Sequence, residues 1–523
     1  MKPYNAAAWL LDRHVREGRG DAVALRCLGR STTYAELLRE VQRAQLLLAE
    51  LDAKPGERVA MVVRDDEAFP SFFLGALRSG VVPVPLSTML KGPALGAIVA
   101  DAEARVLVVS DAFAAAVPAL VAGAPLLRHV VVCGDAGALD QGDLAPTVRS
   151  WSQAGAATDE MPIAPTGADS PGFWLYSSGT TGAPKGVMHA HGDLQATVET
   201  YANQVLRIGP DDRFLSVAKL FFAYGLGNAL TFPLAVGATA ILNPDPPTPA
   251  AVAALIAAES PTLLFSSPGF CAALLHASLG LEDFRSLRAT VTAGEALPAN
   301  VQRRFAALTG RPVLDGIGST EMLHIFLSNT LDEQRPGTSG RVVPGYEAEL
   351  RDESGARIDA PDTPGLLFVR GASAASGYWK RPDATAAAVG ADGWVKTGDV
   401  YTRSGDGLWT FHSRTSDMIK AGGIWVSPAE VENVLLGHAS VLEAAVVGAR
   451  DANGLETVVA FVVPAPNATC DPAELELHCR GEVAAFKRPR RIEVVDELPK
   501  TATGKIQRFE LRTRLAGGAG PDS

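Results

Sequence analysis

Short β-branched runs alternate with helical stretches along most of the chain, and this alternation restricts the fold more than any other feature of the sequence. Val59–Val63 and Val81–Pro85 are predicted strands on either side of a helix predicted over Phe69–Ser79. Such alternation is typical of parallel sheets covered by helices, which place ligand-binding loops beyond the carboxyl ends of their strands. The other strands predicted in this part are Val106–Val109, His129–Cys133, Phe173–Tyr176, Ala238–Leu242, Thr262–Phe265, Ala289–Thr292 and Val313–Asp315.

The pattern changes in the last third of the chain. Beyond residue 340, Gly- and Pro-rich turns separate short strands such as Leu366–Val369, which predicts a β-rich lobe. Beyond residue 415, helices predicted over Ala429–Leu436 and Ala473–Phe486 combine with strands predicted at Ala444–Val447 and Val458–Val463. The predicted fold class is therefore α/β, with layered α/β subdomains and a β-rich lobe followed by a small α+β domain. A chain of 523 residues is too long for one ordinary core, which agrees with this division.

Composition and charge argue against several classes of function. Hydrophobic content of 47% and charged content of 20% are those of a globular protein. A net charge of −11 argues against broad nucleic-acid binding, although local cations and backbone N–H groups can still hold a phosphorylated ligand. The five cysteines form no C-x-x-C pair, and neither a signal peptide nor a membrane-spanning segment is recognisable. We therefore expect a cytoplasmic protein without nucleic-acid or membrane partners.

One glycine-rich segment, Tyr176–Gly186, has the composition of a phosphate-binding loop. Its sequence Tyr-Ser-Ser-Gly-Thr-Thr-Gly-Ala-Pro-Lys-Gly contains two Ser, two Thr, three Gly and one Lys. Glycines let the backbone approach a phosphate, hydroxyl groups donate hydrogen bonds, and Lys185 adds a positive charge. The segment is not a Walker loop, because Gly186 follows Lys185 where that motif has Ser or Thr. Composition alone would also fit a flexible surface turn.

Four further motifs follow this segment in a fixed order. They are Asp315-Gly-Ile-Gly-Ser-Thr-Glu321, Lys396-Thr-Gly-Asp399, Ser413-Arg-Thr-Ser-Asp-Met-Ile-Lys-Ala-Gly-Gly423 and Pro499-Lys-Thr-Ala-Thr-Gly-Lys-Ile-Gln-Arg508. Together with Tyr176–Gly186 they resemble the motifs of the adenylate-forming superfamily, which includes acyl- and aryl-CoA ligases, luciferases and the adenylation domains of peptide synthetases. The resemblance extends from about Tyr34 to Arg508, nearly the whole chain.

The resemblance implies an ATP site with a magnesium ligand. Asp315 would contact the adenine amino group, Asp399 the ribose hydroxyls and Thr320 the α-phosphate. Glu321 would hold Mg²⁺, a hard cation that prefers oxygen ligands. Ile317 departs from the family pattern, since relatives often have an aromatic residue beside adenine. The residues that the resemblance implies for ATP or AMP binding are Ser177, Ser178, Gly179, Thr180, Thr181, Gly182, Lys185, Gly294, Glu295, Ala296, Asp315, Gly316, Thr320, Asp399 and Arg414.

The resemblance also implies two half-reactions, with ATP, Mg²⁺ and coenzyme A as the small molecules required. In the first, a carboxylate attacks the α-phosphate of ATP, and an acyl-adenylate and pyrophosphate are formed. Lys505 would stabilise the charge that grows on the phosphoryl oxygens, and Lys185 and Thr320 would be further catalytic residues. In the second, the acyl group passes to the thiol of coenzyme A.

A mobile C-terminal domain is expected to separate these half-reactions. The resemblance divides the chain into an N-terminal adenylate-forming domain, residues 1–414, and a C-terminal lid domain, residues 415–523. Ser416 lies at the expected hinge, where relatives usually have Asp or Lys. The residues expected at the hinge and the thiol tunnel are Ser416, Lys420, Gly422 and Gly423.

Two segments, Ala218–Asn228 and Met322–Asn329, resemble benzoate-CoA ligases more specifically. An aromatic acid needs a flat apolar slot with few polar groups, and Phe222 would separate the acid route from the thiol route. The segment Ser266–Cys271 departs from the benzoate pattern, so benzoate, 2-aminobenzoate and a hydroxybenzoate all stay open as substrates. The residues expected to line the aryl pocket are Phe222, Ala223, Tyr224, Gly225, Gly318, His324 and Ile325.

Three functions fit these observations to different degrees. The first is an AMP-forming aryl-CoA ligase, acting as a monomer or homodimer. The second is a stand-alone adenylation enzyme that loads aryl groups onto a carrier protein. The third is a non-catalytic nucleotide-binding relative, which should have lost Lys505, Glu321 or Asp399, and all three are present.

Overall fold

The computed structural model describes residues 3–90, 92–139, 144–156, 161–178, 184–277, 279–421, 424–450, 455–500 and 506–517. Its largest sheet has nine strands, and the central ones, from Val313–Gly318 across to Val23–Cys27, pair in parallel. The carboxyl ends of these central strands therefore meet at one edge of the sheet. In spatial order the strands are Arg341–Val342, Ile325–Ser328, Val313–Gly318, Ala289–Thr292, Leu263–Ser266, Arg213–Ser216, Thr239–Leu242, Val23–Cys27 and Arg30–Thr33.

A second sheet, of five parallel strands, lies in the first part of the chain. The strand Val106–Ser110 buries every residue, as expected of a parallel strand covered on both faces. The predicted strands of this region are confirmed to within one residue at either end. In spatial order the strands of this sheet are Val82–Pro85, Arg58–Val62, Val106–Ser110, His129–Cys133 and Thr147–Ser150, the last of which was not predicted.

The strand predicted at Phe173–Tyr176 is longer than predicted and belongs to a different kind of sheet. It spans Pro171–Ser178 and pairs antiparallel with Pro184–Ala190, which in turn pairs with Gly377–Tyr378. Ser178 is opposite Pro184, and only five residues of sequence separate them. A parallel connection needs a long crossover, and this segment has no room for one. The expectation that this strand joins the parallel layers was therefore wrong.

The β-rich lobe and the C-terminal part contain the remaining strands. In spatial order the antiparallel sheet of the lobe consists of Arg357–Ile358, Tyr346–Arg351, Gly365–Gly371, Val395–Arg403 and Trp409–Arg414. The C-terminal strands are the hairpin Ile419–Ala421 and Ile424–Val426, and the three-stranded sheet Val441–Arg450, Glu456–Pro464 and Arg491–Val494.

Helices connect the strands, and one of them is shorter than predicted. The helix predicted to reach Phe486 ends at Glu482, because Val483 has extended backbone angles and packs into the C-terminal core. Within the described ranges, no helix has the length and apolar character needed to cross a membrane. The α-helices are Arg13–Arg16, Tyr34–Glu50, Ala68–Ser79, Gly92–Asp101, Val117–Ala122, His191–Thr197, Ala223–Leu226, Phe232–Val236, Pro249–Glu259, Pro268–Leu275, Ala299–Thr309, Pro382–Ala388, Pro428–Leu435, Pro472–Glu482 and Arg508–Gly517.

The C-terminal part has hydrophobic cores of its own. Alternate residues of Val441–Arg450 and Glu456–Pro464 belong to two different buried clusters, one on each face of the sheet. Such separate cores are what an independently moving domain requires. The predicted boundary at 414/415 falls directly after the strand Trp409–Arg414, and it stays a prediction.

Candidate active site

The adenine end of the predicted site lies at the carboxyl edge of the nine-stranded sheet. Thr292 ends one central strand, and Asp315 is opposite it on the next. The Thr292 hydroxyl donates a hydrogen bond of 3.0 Å to Oδ1 of Asp315. Ala293 follows Thr292 and leads into Gly294, Glu295 and Ala296, which are among the residues predicted to bind ATP or AMP. The sheet thus brings both sequence motifs to one place.

Asp315 is buried, and burial raises the pKa of its carboxyl group to about 8. The hydrogen bond from Thr292 acts in the opposite direction without cancelling this effect. The carboxyl group therefore keeps its proton near neutral pH. A protonated carboxyl group can both donate and accept, which suits recognition of an adenine edge that carries an amino donor and a ring-nitrogen acceptor.

The predicted magnesium ligand lies in the short 3₁₀ turn Thr320–Met322, just beyond the strand that contains Asp315. Oε1 of Glu321 accepts a hydrogen bond of 2.8 Å from the Tyr378 hydroxyl. Among the described residues, no group of three or more His, Cys, Asp or Glu side chains could hold a metal ion on its own. One carboxylate nevertheless fits Mg²⁺, which proteins commonly hold through one or two carboxylates together with substrate phosphates.

Neighbouring sheets fix the backbone of this turn. The Thr320 carbonyl lies 2.8 Å from Nε2 of His189, which belongs to the three-stranded sheet. The Ala375 N–H donates to the Glu321 carbonyl at 2.7 Å, and the Ser373 hydroxyl donates to the Met322 carbonyl at 2.7 Å. The segment that follows the strand Gly365–Gly371 thus supports the turn from a second side.

Lys185, the lysine of the glycine-rich segment, lies beside the same tyrosine. Its Nζ is 5.1 Å from the centre of the Tyr378 ring, and Lys185 is opposite Ser177 in the three-stranded sheet. Burial, followed by the Glu321 charge, raises the pKa of Tyr378 well above its ordinary value, while Arg414 lowers it. Tyr378 therefore stays protonated and can donate its hydrogen bond to Glu321.

The predicted ribose residues face each other on neighbouring strands of the antiparallel sheet. Asp399 is opposite Arg414, and Nη1 of Arg414 lies 3.0 Å from Oδ1 of Asp399. Asp399 is buried and Arg414 is exposed. A buried carboxylate held in place by an arginine is well suited to accept hydrogen bonds from two adjacent hydroxyl groups.

His324, which is predicted to line the aryl pocket, packs within a cluster of aromatic rings. The centre of its ring lies 4.5 Å from that of Phe232, 5.2 Å from Tyr201 and 5.5 Å from Tyr224. The Tyr224 hydroxyl donates to the carbonyl of Val291 at 3.1 Å, one residue before Thr292. This contact places the aromatic cluster next to the nucleotide edge.

His324 is buried as a neutral ring. Burial lowers its pKa to about 3, and its Nε2 lies 3.1 Å from Oδ1 of Asn228. Asn228 belongs to the π-helical turn Gly227–Thr231, which interrupts the helix between Ala223 and Val236. Turns of this type are frequent at functional sites because they redirect one side chain.

The turn between Glu321 and His324 is strained. Leu323 has φ 65° and ψ −40°, and the His324 N–H donates to the Met322 carbonyl at 2.8 Å across it. These values define a γ-turn with positive φ, a rare conformation for a residue with a side chain. Gly318 makes the close packing beside this turn possible, since a Cβ there would lie 2.4 Å from the His324 carbonyl. Gly225 allows a close approach elsewhere, where a Cβ would lie 2.0 Å from the Lys219 carbonyl.

The remaining residues predicted to line the aryl pocket differ in how deeply they are buried. Gly225 and Ile325 are buried, whereas Phe222 and Ala223 are half-buried. Phe222 packs against Phe221, with the ring centres 4.3 Å apart. Ile325 begins the strand beside Val313–Gly318. A half-buried Phe222 fits a gate better than it fits a core residue.

The predicted hinge lies in a turn that contacts residues before and after it in the sequence. Ser416 is exposed within a turn closed by the hydrogen bond from the Asp417 N–H to the Arg414 carbonyl, at 2.9 Å. Oδ1 of Asp417 lies 3.1 Å from Nη1 of Arg512. The exposed Lys420 has its Nζ 5.4 Å from the centre of the Trp425 ring.

Several predicted residues lie outside the part of the chain that the structure describes. Ser178 is the last residue of its strand. Lys500 and Ile506, which flank residues 501–505 in the sequence, form an isolated antiparallel β-bridge. The roles predicted for the remaining residues stay predictions. Those outside the described ranges are Gly179, Thr180, Thr181, Gly182, Gly422, Gly423 and Lys505.

Sequence reasoning missed three side chains that support the site. Tyr378 lies in the run Gly377-Tyr-Trp379, whose aromatic residues were the only available signal. His189 follows the phosphate segment by three residues, and Asn228 ends a segment that was already singled out. Their partners are distant in sequence, so no local pattern could identify them.

Comparison with known proteins agrees with this geometry. Residues 11–379 match the model of the AMP-binding enzyme family, and residues 430–505 match that of the AMP-binding enzyme C-terminal domain. The chain is 44% identical to a benzoate–CoA ligase of Thauera aromatica over 98% of this chain and 96% of that protein. The chain therefore belongs to the AMP-binding enzyme family, and benzoate–CoA ligases are among its full-length relatives.

Two solved structures are similar over nearly the whole chain. A benzoate CoA ligase from Burkholderia xenovorans is 41% identical with a TM-score of 0.88, over 97% of this chain and all 100% of that one. An anthranilate CoA ligase in complex with anthranoyl-AMP is 35% identical with a TM-score of 0.91, over 99% of this chain and 98% of that one. The predicted family and fold class are thereby confirmed.

Asp315→Asn should change how stability depends on pH. In the folded ligand-free chain Asp315 holds a proton up to a pKa of about 8, whereas an unfolded aspartate loses it near 3.8. The stability that this bound proton contributes is complete below the pKa of the unfolded state. It is lost as the pH rises through the pKa of the folded state. The melting temperature of Asp315→Asn relative to wild type should therefore increase from pH 5 to pH 8.5.

Thermal unfolding of both proteins across this pH range measures the difference. Asp65→Asn is a useful comparison, because burial raises the pKa of Asp65 to about 7. This substitution should remove a pH dependence of stability that ends at a lower pH than that of Asp315. A difference between Asp315→Asn and wild type that stays constant with pH would contradict the assignment.

Gly227→Ala should disturb the aryl pocket alone. Gly227 has right-handed helical angles, so alanine fits its backbone, but a Cβ would lie 2.5 Å from Cδ2 and 2.7 Å from Nε2 of His324. Overpacking of this kind costs roughly 1–3 kcal/mol. We expect the KM for the aromatic acid to rise about tenfold with the KM for ATP unchanged, at 1.4 kcal/mol per factor of ten.

Steady-state kinetics with each substrate varied in turn will test this. Gly481→Ala, in another helix with nothing within 4 Å of the added Cβ, is the matched control and should change neither constant. Equal increases in both KM values for Gly227→Ala would show a general loss of structure instead.

Proposed function

We propose that the chain is an AMP-forming aryl-CoA ligase, which joins an aromatic carboxylic acid to coenzyme A at the expense of ATP. One observation carries the proposal. The strained turn Thr320–His324 places the predicted magnesium ligand at one end and the histidine of an aromatic pocket at the other. A carboxylate whose ring lies beside His324 can therefore reach a nucleotide bound at Glu321.

The first half-reaction converts the acid into an aryl-adenylate. A carboxylate oxygen bonds to the α-phosphorus of ATP, and pyrophosphate leaves. Thr320, Arg414 and Lys505 would stabilise the charge that develops on the phosphoryl oxygens, while Lys185 would hold the departing phosphates. Mg²⁺ on Glu321 would neutralise part of the phosphate charge when bound.

The second half-reaction transfers the aryl group to the thiol. The sulfur of coenzyme A bonds to the carbonyl carbon, the bond from that carbon to the AMP oxygen breaks, and the thiol proton is lost. Rotation at Ser416 would withdraw Lys505 and present the segment from Lys420 to Gly423 instead. Phe222 would separate the thiol from the acid until this rotation has taken place.

The pocket favours a ring with an uncharged substituent. His324 is neutral because burial lowers its pKa to about 3, and it is paired with the Asn228 amide. A neutral imidazole and an amide can bond a hydroxyl or amino group, but they provide no charge to balance a second carboxylate. Benzoate, 2-aminobenzoate and the hydroxybenzoates are accordingly the proposed substrates.

A substrate panel tests this proposal. Pyrophosphate release with benzoate, 2-aminobenzoate, three hydroxybenzoates and phthalate should rank the uncharged rings above phthalate by roughly a hundredfold or more, since an unpaired buried charge is strongly disfavoured. Detection of the CoA thioester then identifies the acceptor. Activity on aliphatic acids alone would refute the aryl assignment, and aryl-adenylate without thioester would favour a carrier-protein acceptor.

Lys505→Ala should separate the two half-reactions. Loss of a cation that stabilises the phosphoryl transition state should lower adenylate formation by roughly a hundredfold or more. Thioester formation from supplied benzoyl-adenylate should stay within about twofold of wild type, because the other domain orientation does not use this lysine. Equal losses in both half-reactions, measured on the same protein preparation, would contradict the two-orientation scheme.

A further inference from the structure

His189 forms two hydrogen bonds at the rear of the predicted magnesium turn. It belongs to the strand Pro184–Ala190 and is buried. Its Nδ1 lies 2.7 Å from Oδ2 of Asp193, and its Nε2 lies 2.8 Å from the Thr320 carbonyl oxygen. Its ring stacks on that of Phe173, with centres 5.1 Å apart and an interplanar angle of 14°.

The chemistry of the backbone partner determines the direction of one of these bonds. A carbonyl oxygen can only accept, so Nε2 of His189 donates to Thr320. The hydrogen bond between Nδ1 and Asp193 fixes the orientation of the ring. Asp193 is itself buried and also accepts from the Ala190 N–H at 3.1 Å, so its position is fixed.

This pair connects the sheet that contains Lys185 to the turn that contains Thr320 and Glu321. Tyr378 makes the other contact between them, through its hydroxyl on Glu321 and its ring beside Lys185. The Tyr378 contact fixes a side chain, whereas the His189 contact fixes the backbone from which that side chain extends. The two contacts therefore hold the turn at different points.

We propose that His189, oriented by its hydrogen bond to Asp193, is a positioning residue for adenylate formation. It fixes the Thr320 backbone so that the hydroxyl of Thr320 and the carboxylate of Glu321 face the phosphates held by Lys185. The inference rests on the roles proposed above for Thr320 and Glu321. It does not concern the thioester step, which uses the adenylate already formed.

His191 provides a matched control two residues away. It is also buried, but its Nδ1 accepts a hydrogen bond of 3.1 Å from the N–H of Ala6, near the start of the chain. Burial lowers the pKa of His191 to about 4, so it is neutral. Substitution at either histidine disturbs the core, but only His189 contacts the magnesium turn.

Two substitutions separate the bonds of His189. In His189→Gln the amide nitrogen occupies the position of Nε2 and can still donate to Thr320. In His189→Asn the amide nitrogen occupies the position of Nδ1, so the bond to Asp193 survives and the bond to Thr320 is lost. Both variants remove the aromatic ring, so a difference between them reports on the Thr320 bond.

The full-length variants, together with His191→Gln and wild type, are compared in three measurements. These are the calorimetric affinity for ATP with Mg²⁺, aryl-acid-dependent pyrophosphate release, and thioester formation from supplied benzoyl-adenylate. We expect His189→Asn to lower the ATP affinity and the release rate by roughly tenfold or more, the usual effect of losing a partner behind a metal site. His189→Gln should recover most of both, and thioester formation should stay within about twofold throughout.

Other outcomes overturn the inference. Equal values for His189→Gln and His189→Asn would mean that the Thr320 bond has no role, as would a loss in His191→Gln as large as that in His189→Asn. Melting temperatures identify variants that lose activity because they unfold. The comparison of His189→Gln with His189→Asn is valid when the two variants have equal melting temperatures. Failure of the proposed function is distinct, because wild type would then release no pyrophosphate with any aromatic acid, or Glu321→Gln would retain full activity.

Discussion

The segment Ser319–Ile325 is the constraint on which the site depends, because three sheets meet there. Gly318 and Ile325 pair within the nine-stranded sheet, His189 reaches the segment from the three-stranded sheet, and Ala375 bonds to it from the lobe. A short segment held from three sides can sustain the strained angles of Leu323. Electrostatic catalysis needs this rigidity, since a charge assists a transition state only if it is already in place.

Much of the fold was predictable, because short-range patterns determine it. The runs at His129–Cys133 and Ala289–Thr292 form strands with the predicted bounds, since buried parallel strands consist of continuous apolar residues. The role of Asp315 in adenine binding, which the motif Asp315–Glu321 implies, stays a prediction. The sheet of Pro171–Ser178 was assigned incorrectly, because composition does not reveal whether a strand's neighbour is parallel or antiparallel.

The supporting side chains were not predictable for a different reason. His189 bonds to a residue 131 positions away, and Tyr378 bonds to one 57 positions away. A lone histidine after a strand gives no indication of its partner, and only tertiary folding brings it to Thr320. The substituent on the aromatic acid was equally undetermined. The sequence predicts that His324 lies near the acid's ring, but it does not show that burial keeps the histidine neutral.

The predicted hinge shows how a departure from a family pattern can be tolerated. The pattern that the sequence resembles has Asp or Lys at the predicted pivot, whereas this chain has an exposed Ser416. Asp417, the next residue, bonds to Arg512, and Arg508 bonds to Glu432 through Nη2 at 2.7 Å. The helix after the lysine segment is therefore tied to the C-terminal side of the pivot, so both should turn together. Because Asp417 already provides an ionic contact to this helix, the predicted pivot can be a small neutral residue.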